Sequence, residues 1–416
     1  MRALLPLLAA GLLLASCSHR ERANPFDQLN PSSSGRPQGF AALAGDREVT
    51  LRWQGVQGTT LTGYQLFRRG PGEASFMALT GSLNIATTGF RDITVVNGEE
   101  YAYRLYFVFL SGLGNLPAED TASPGTAVPW LVENSGSDLI RVTPDGRRVA
   151  SRRSGYGGTA DVSVNTANGD VWVVDAGLGR VVVYYPNSGV TVTVPGLAFP
   201  RSVAADAFDG TAWVCDESRN RVYHFRRDGS AEPVSIGGLN VPVDVAVDQN
   251  DGSVWVCERG AGRVGRYDAG QPLWTVGVAS PSRVAVDSTT HDGWVTSSAN
   301  GTVAHFSPTG QLLGTLTGFV SPLGVAIDHR RGRIWIADYG AGQVIAVGRD
   351  RPDVVEFRVA GLRDAGDLGV DLGTGEAWVV LGFSGALARL STAGAVIRTL
   401  PGFHSPFAVS VDPGGR

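Results

Sequence analysis

From residue 128 onward the chain alternates apolar and polar positions in short runs, and the runs recur with a period near forty residues. A run such as PVDVAVD (242–248) alternates strictly, as a strand buried on one face does. A turn rich in Asp and Gly follows, then an apolar run centred on Trp, as in SVWVCE (253–258). A second Gly-rich turn leads to a segment of the RVxxF kind, and a polar turn such as RRDG (226–229) leads to a fourth run. The Trp sets the register. Trp130, Trp172, Trp213, Trp255, Trp294, Trp335 and Trp378 recur at 42, 41, 42, 39, 41 and 43 residues. Four strands in such a period make one propeller blade.

The ends of this region complete each other. It opens at PWLVENSGSDLIRVTPDG (129–146), a repeat without its first strand, and it stops at PFAVSVDPGGR (406–416), a first strand and its turn. Six continuous repeats and one split repeat predict an all-β, seven-bladed β-propeller over 128–416, closed without an exposed sheet edge. A six-bladed ring would strand one copy and leave the complementary ends unexplained. First strands converge on the axis, where space is short, and the residue between their branched positions is small: Ser163, Ala204, Ala246, Ala285, Ala326, Gly369 and Ser410. These repeats resemble the NHL-type propeller repeat.

A different pattern fills residues 36–127. GFAALAGDREVTLRWQ, LTGYQLFRR and GFRDITVVNGEEYAYRLYFVFL alternate like strands, with Val49, Leu51 and Trp53 on one face and Tyr101, Tyr103 and Leu105 on another. Trp53, Tyr64 and the Asn97-Gly98-Glu99-Glu100-Tyr101 approach resemble a fibronectin type III domain, an immunoglobulin-like β-sandwich placed before the propeller. The resemblance implies a tyrosine corner at Tyr101, its hydroxyl bonded back to nearby backbone. A spacer role suits this region best.

Residues 1–16 form a secretory leader: Arg2, then an apolar run too short to span a membrane, then small residues. Leu14-Ala15-Ser16-Cys17 resembles a bacterial lipobox, which implies Cys17 as the lipidation site of the mature chain; Ser18 after it implies the outer membrane. Polar, Pro- and Ser-rich residues 17–35 read as a tether. The expected address is the bacterial cell envelope. The net charge is −4, which gives no reason to expect nucleic acid. All 35 basic residues are Arg, a matter of base composition more than of function.

Candidate chemistry is sparse. Asp175–Arg180, Asp216–Arg221 and Glu258–Arg263 recur five residues apart, and where the acid is lost at Ser297 and Leu381 the Arg is lost too. Such pairs are expected to tie the second and third strands near the surface, at little energy. Cys215 and Cys257 follow a repeat Trp by two, where other blades hold Val, Thr or Ala, so two free buried thiols are expected. His224 and His305 share a third-strand slot with Arg141, Arg266 and Arg389, which suggests a solvated position. DQNDGS (248–253) reads as a turn, and no metal or cofactor is expected. The most individual residues stand just before the inner-strand Val. Asp161, Asp244, Arg283 and Asp367, with His404 nearby, are therefore the ligand-binding candidates, expected at the channel mouth and suited to a cationic or hydroxyl-rich ligand. The reading is a monomeric, non-enzymatic lipoprotein that binds an unknown protein or glycan partner. The alternative is a propeller enzyme of the lyase or lactonase type.

Overall fold

The computed structural model describes residues 24–412, less the side chain of Pro233. The leader, Cys17 and the tether up to residue 23 lie outside the described residues. Among the described residues no helix is long and apolar enough to cross a membrane. Contacts gather the chain into two compact units. Among the described residues, one holds those up to Ala41, Leu51–Phe90 and Ala102–Asp120; the other holds Ala42–Thr50, Arg91–Tyr101 and those from Thr121 to Asp412.

The N-terminal strands form two sheets. Ala41–Ala44, Val49–Arg52 and Gly89–Asp92 make a three-stranded sheet, and a six-stranded sheet is built on Leu61–Arg69 and Tyr101–Phe109. Burial alternates along Tyr101–Phe109, with Tyr103 and Leu105 fully buried. The Tyr101 hydroxyl accepts the Val96 N–H at 3.0 Å, the bond of a tyrosine corner.

From Val128 on, the strands make seven four-stranded sheets and the fold is a β-propeller. Blades 2 to 7 are continuous, with inner strands Thr159–Val164, Pro200–Ala205, Pro242–Val247, Pro281–Asp287, Pro322–Asp328 and Ala365–Val370. Blade 1 takes its outer three strands from Val128–Arg153 and its inner strand from Pro406–Asp412, which pairs antiparallel with Val128–Glu133. Each inner strand lies against the inner strands of both neighbouring blades, all the way round. The small inner-strand residues Ser163, Ala204, Ala246, Ala285, Ala326 and Ser410 line the axial channel. At Gly369 a Cβ would stand 3.0 Å from Val411 Cγ2 and 3.3 Å from the Val409 carbonyl, so crowding at the axis is real there.

Each Trp packs against the blade that follows. Trp213 lies among Val245, Val247, Val254 and Val256 of blade 4, and Trp378 of blade 7 packs on Leu131 and Ile140 of blade 1. The split blade is thus seated like any other, by about the burial of one large aromatic per interface. Cys215 and Cys257 are free and fully buried, and burial pushes both thiols well above their ordinary range.

Two expectations need correction. The acids of the acid–Arg pairs are not surface groups: Asp175, Asp216 and Glu258 are fully buried, as are Glu133 and Asp338 at the same repeat position of blades whose fifth residue on is Asp138 and Gln343. Each also accepts backbone N–H groups of the crossing between blades: Ala198 and Phe199 on Asp216, Val320 and Ser321 on Asp338, and one amide each on Asp175, Glu258 and Glu133, from Gly157, Asn240 and His404. Arg180 and Arg263 bond Asp175 and Glu258 as expected, but Arg221 donates to Ser235 and Arg219 approaches Asp216 instead. The third-strand slot is not solvated either. Arg266 and His305 are buried because that slot lies directly across from the Trp, and the His rings stack on it, with centroids 4.1 Å apart for Trp213–His224 and 3.9 Å for Trp294–His305. A polar partner in the preceding turn satisfies the slot: Asp251 for Arg266, Asp292 for His305, Thr211 for His224.

Candidate functional site

The axial channel holds two cavities of comparable size, about 590 Å³ on the face of the inter-blade crossings and about 600 Å³ on the other side. Asp161, Asp244, Arg283 and Asp367 stand between them: all four line the far cavity, and only Arg283 and Asp367 also floor the mouth cavity. They occupy the waist of the channel, one residue deeper than its mouth.

Their hydrogen bonds explain why acids sit there. Asp161 accepts the N–H of Val203, Asp244 that of Val284 and Asp367 that of Val409, each from the inner strand of the next blade. Asp244 also accepts the Ser202 hydroxyl at 2.8 Å. Arg283 reaches Asp244 of the neighbouring blade at 3.0 Å and Asp161 of blade 2 at 3.5 Å. Burial opposes the Arg283 charge, yet Asp161, Asp244 and Asp367 together hold its pKa well above the ordinary value. Burial pushes the carboxyls the other way: Asp244 is raised, and Asp367 is pushed up to about 6, against the pull of Arg283. The group is a brace that ties blades together and narrows the channel. Its variation around the ring reflects one Arg needing several acids, a demand that sevenfold packing does not impose.

His404 is not part of this arrangement. Its side chain is 74% exposed, lies 3.8 Å from Glu133 and lines neither cavity.

The mouth cavity is walled by residues that sequence reasoning passed over. Just before the waist position in each inner strand stand Ala160, Arg201, Val243, Ser282, Leu323, Gly366 and Phe407; all but Ala160 line the mouth. The four-after-Trp position adds Asn134, Arg259, Ser298, Tyr339 and Gly382, and Phe383 follows next. On blades 3 and 4, Arg201 and Arg259 lie 4.0 and 3.0 Å from Glu217. Burial pushes the Arg201 guanidinium below its ordinary value; Glu217 counters this, while Arg283 and Arg259 add to it. Across the cavity stand Tyr339, Phe383 and Phe407, with Phe383 82% exposed, and Asp364, which accepts the Ser384 hydroxyl. The mouth therefore has a basic side and an aromatic side. Both positions vary between repeats as much as the waist does, and that variability was the signal available.

On the opposite face, Asp248, Asp251 and His291 bring ligand atoms within 4.8 Å of one another, a geometry that could suit a cation. Arg266 already serves them: it donates to Asp251, lies 3.7 Å from Asp248, and continues to the Pro308 carbonyl of the next blade. His291 Nδ1 lies 2.6 Å from Asp248. The cluster is a salt-bridged joint between blades 4 and 5.

No family model matches the chain, and no curated protein matches it. Solved structures do. A functionally unknown protein from Desulfotomaculum acetoxidans is similar with a TM-score of 0.59 and 12% identity, covering 68% of this chain and 98% of that one. Hydrazine synthase from Kuenenia stuttgartiensis is similar with a TM-score of 0.55 at 11% identity, covering 63% and 92%. Virginiamycin B lyase from Staphylococcus aureus is similar with a TM-score of 0.53 at 16% identity, covering 61% and 88%. The chain shares the propeller fold of these proteins. At such identities the likeness carries the fold and no activity.

Proposed function

We propose that this chain is an envelope lipoprotein whose propeller binds a ligand in the mouth cavity. Cys17 is the lipid attachment site, an outer-membrane address is favoured, and the N-terminal sheets act as a fibronectin-type-III-like spacer. NHL-type repeats build the ring. The observation that carries the binding role is the cavity itself. Its volume of about 590 Å³ suits a small molecule or an inserted side chain, and its floor is braced by Arg283. Two glycines on blade 7 leave it open. A Cβ at Gly366 or Gly382 would meet nothing nearer than about 3.6 Å, and neither has a positive φ, so packing does not demand glycine there.

Two experiments test the reading. Cys17→Ser releases the protein from membrane fractions and removes the acyl mass; unchanged retention with no acyl mass on the wild type ends the lipoprotein claim. Gly366→Phe, which fills the cavity and spares its polar groups, abolishes capture of envelope components as read by native mass spectrometry. Equal capture by this variant moves the binding surface to the outer blade faces. A second reading, a lyase-type enzyme, draws on the likeness to virginiamycin B lyase. No histidine lines the mouth cavity among the described residues, which favours binding over acid–base work. Conversion of virginiamycin B on incubation to a product that separates from it by chromatography, its mass unchanged as an elimination requires, would reverse that preference.

A further inference from the structure

We infer that the mouth cavity takes an anionic ligand built on an aromatic or similarly planar apolar body, its acid group toward Arg201 and Arg259 and its ring toward Tyr339, Phe383 and Phe407. This rests on the binding role proposed above and adds the chemistry of the ligand. It also inverts the sign expected from sequence, because the carboxylates that suggested a cation are already committed. Asp161, Asp244 and Asp367 each accept a backbone N–H of the next blade, and Asp161 and Asp244 also hold Arg283.

What the mouth offers is different. Arg201 and Arg259 come from adjacent blades and converge on one acid, Glu217, at 4.0 and 3.0 Å. Arg283 stands behind them at the floor with its own acids. Burial is the main reason that Arg201 is held below its ordinary pKa; Glu217 counters it, and the Arg283 and Arg259 guanidiniums add to it. An arriving anion relieves that repulsion, and guanidinium forks bind carboxylate, sulfonate or phosphate in two-point fashion.

The opposite side offers rings. Phe383 is held 82% exposed at a turn tip, and Tyr339 and Phe407 are partly covered beside it. An exposed Phe at a cavity rim costs solvation that a stacked ligand recovers. The open positions Gly366 and Gly382 lie on this side, leaving room for a planar body. Asp364 works against an anion on this side, where no Arg lines the wall among the described residues, whereas Glu217 is outnumbered by Arg201 and Arg259, so the acid end is placed on the blade 3–4 side.

The probe is 8-anilinonaphthalene-1-sulfonate, an aromatic sulfonate, titrated by fluorescence against the full chain, with neutral N-phenyl-1-naphthylamine as comparison. The sulfonate binds saturably at one site, and Gly366→Phe abolishes it. The double variant R201Q/R259Q weakens the sulfonate about tenfold, roughly the loss of one charge-assisted contact, and leaves the neutral amine unchanged. Phe383→Ser weakens both. Should the double variant fail to keep its native melting temperature, Glu217→Gln serves instead and tightens the sulfonate several-fold. Equal sulfonate binding by wild type and R201Q/R259Q, or no tightening in Glu217→Gln, overturns the anion assignment. If Gly366→Phe still blocks envelope capture in that case, the cavity remains the seat and only its chemistry is wrong.

Discussion

The waist and the mouth of the channel are neighbours in sequence and opposites in purpose. Arg201 precedes Ser202 and Phe407 precedes Ala408, so a single step along the strand separates the two rings. At the waist, charge is satisfied internally: three carboxylates divide their lone pairs among backbone amides of the next blade, Ser202 and Arg283. At the mouth, charge and apolar surface are left partly unspent, with Arg259 and Phe383 exposed. Variation between repeats therefore has two sources. A residue can differ because it belongs to a one-off internal brace or because it faces a ligand, and only its hydrogen-bond partners tell the two apart.

Substitutions can break or sharpen that contrast. The largest loss belongs to Asp244→Ala, which strands the Val284 N–H, the Ser202 hydroxyl and much of the Arg283 charge; about 3–5 kcal/mol is expected, by analogy with broken buried ion pairs. A urea midpoint close to wild type would show that the waist is not a brace. Next comes Arg283→Met. Without their cation Asp244 and Asp367, whose pKa values burial already raises, resist ionisation further, so the variant is least stable at alkaline pH and recovers toward pH 4. A loss equal at all pH values would assign it to packing.

Asp367→Asn is milder and changes sign with pH. Burial pushes the Asp367 carboxyl up to about 6 in the fold, above its unfolded value. The stability this group contributes is thus present below the ordinary carboxyl range near ~4 and is lost as pH rises through about 6. The Asn variant flattens that stretch of the stability curve and melts higher than wild type at pH 7.5; an unchanged slope between pH 4 and 6 would count against it. The smallest effect is at the rim: Phe383→Ser alters stability by less than about 0.5 kcal/mol while weakening the aromatic probe. A large drop in melting temperature would move Phe383 from the ligand side of the comparison to the scaffold side.

Much of this was legible beforehand, for physical reasons. The Trp period, the small axial residues and the two complementary ends are demands that every blade makes, so they repeat and can be read. The inner-strand pairing Val132↔Ala408 follows from the split repeat, and Tyr101 bonds Val96 as its motif implies. What failed was depth. Asp161 and Arg201 differ by one position in the strand pattern, and alternation alone does not say which lies at the lip of a channel. Likewise Arg266 occupies a slot that tolerates Arg, yet it is buried, because Trp255 across the strand and Asp251 in the turn satisfy its apolar stem and its charge. Hydrophobic pattern predicts which face is covered; it does not predict a guanidinium carried past an indole to an Asp in the turn.

The strand that closes the ring also sets an order of events. Blades 2 to 7 are each drawn from consecutive chain, and their strands can pair as soon as they are made. Blade 1 cannot, because Val128–Glu133 waits for Pro406–Asp412. Until then Trp130 and its neighbours present an unpaired edge, and closing it means joining segments at opposite ends of the ring-forming sequence, the slowest kind of contact to make. For a chain delivered from its N-terminus, the final strand is thus a completion signal. A propeller interrupted late in synthesis keeps an open seam, which chaperones and proteases can recognise, whereas the finished ring hides it.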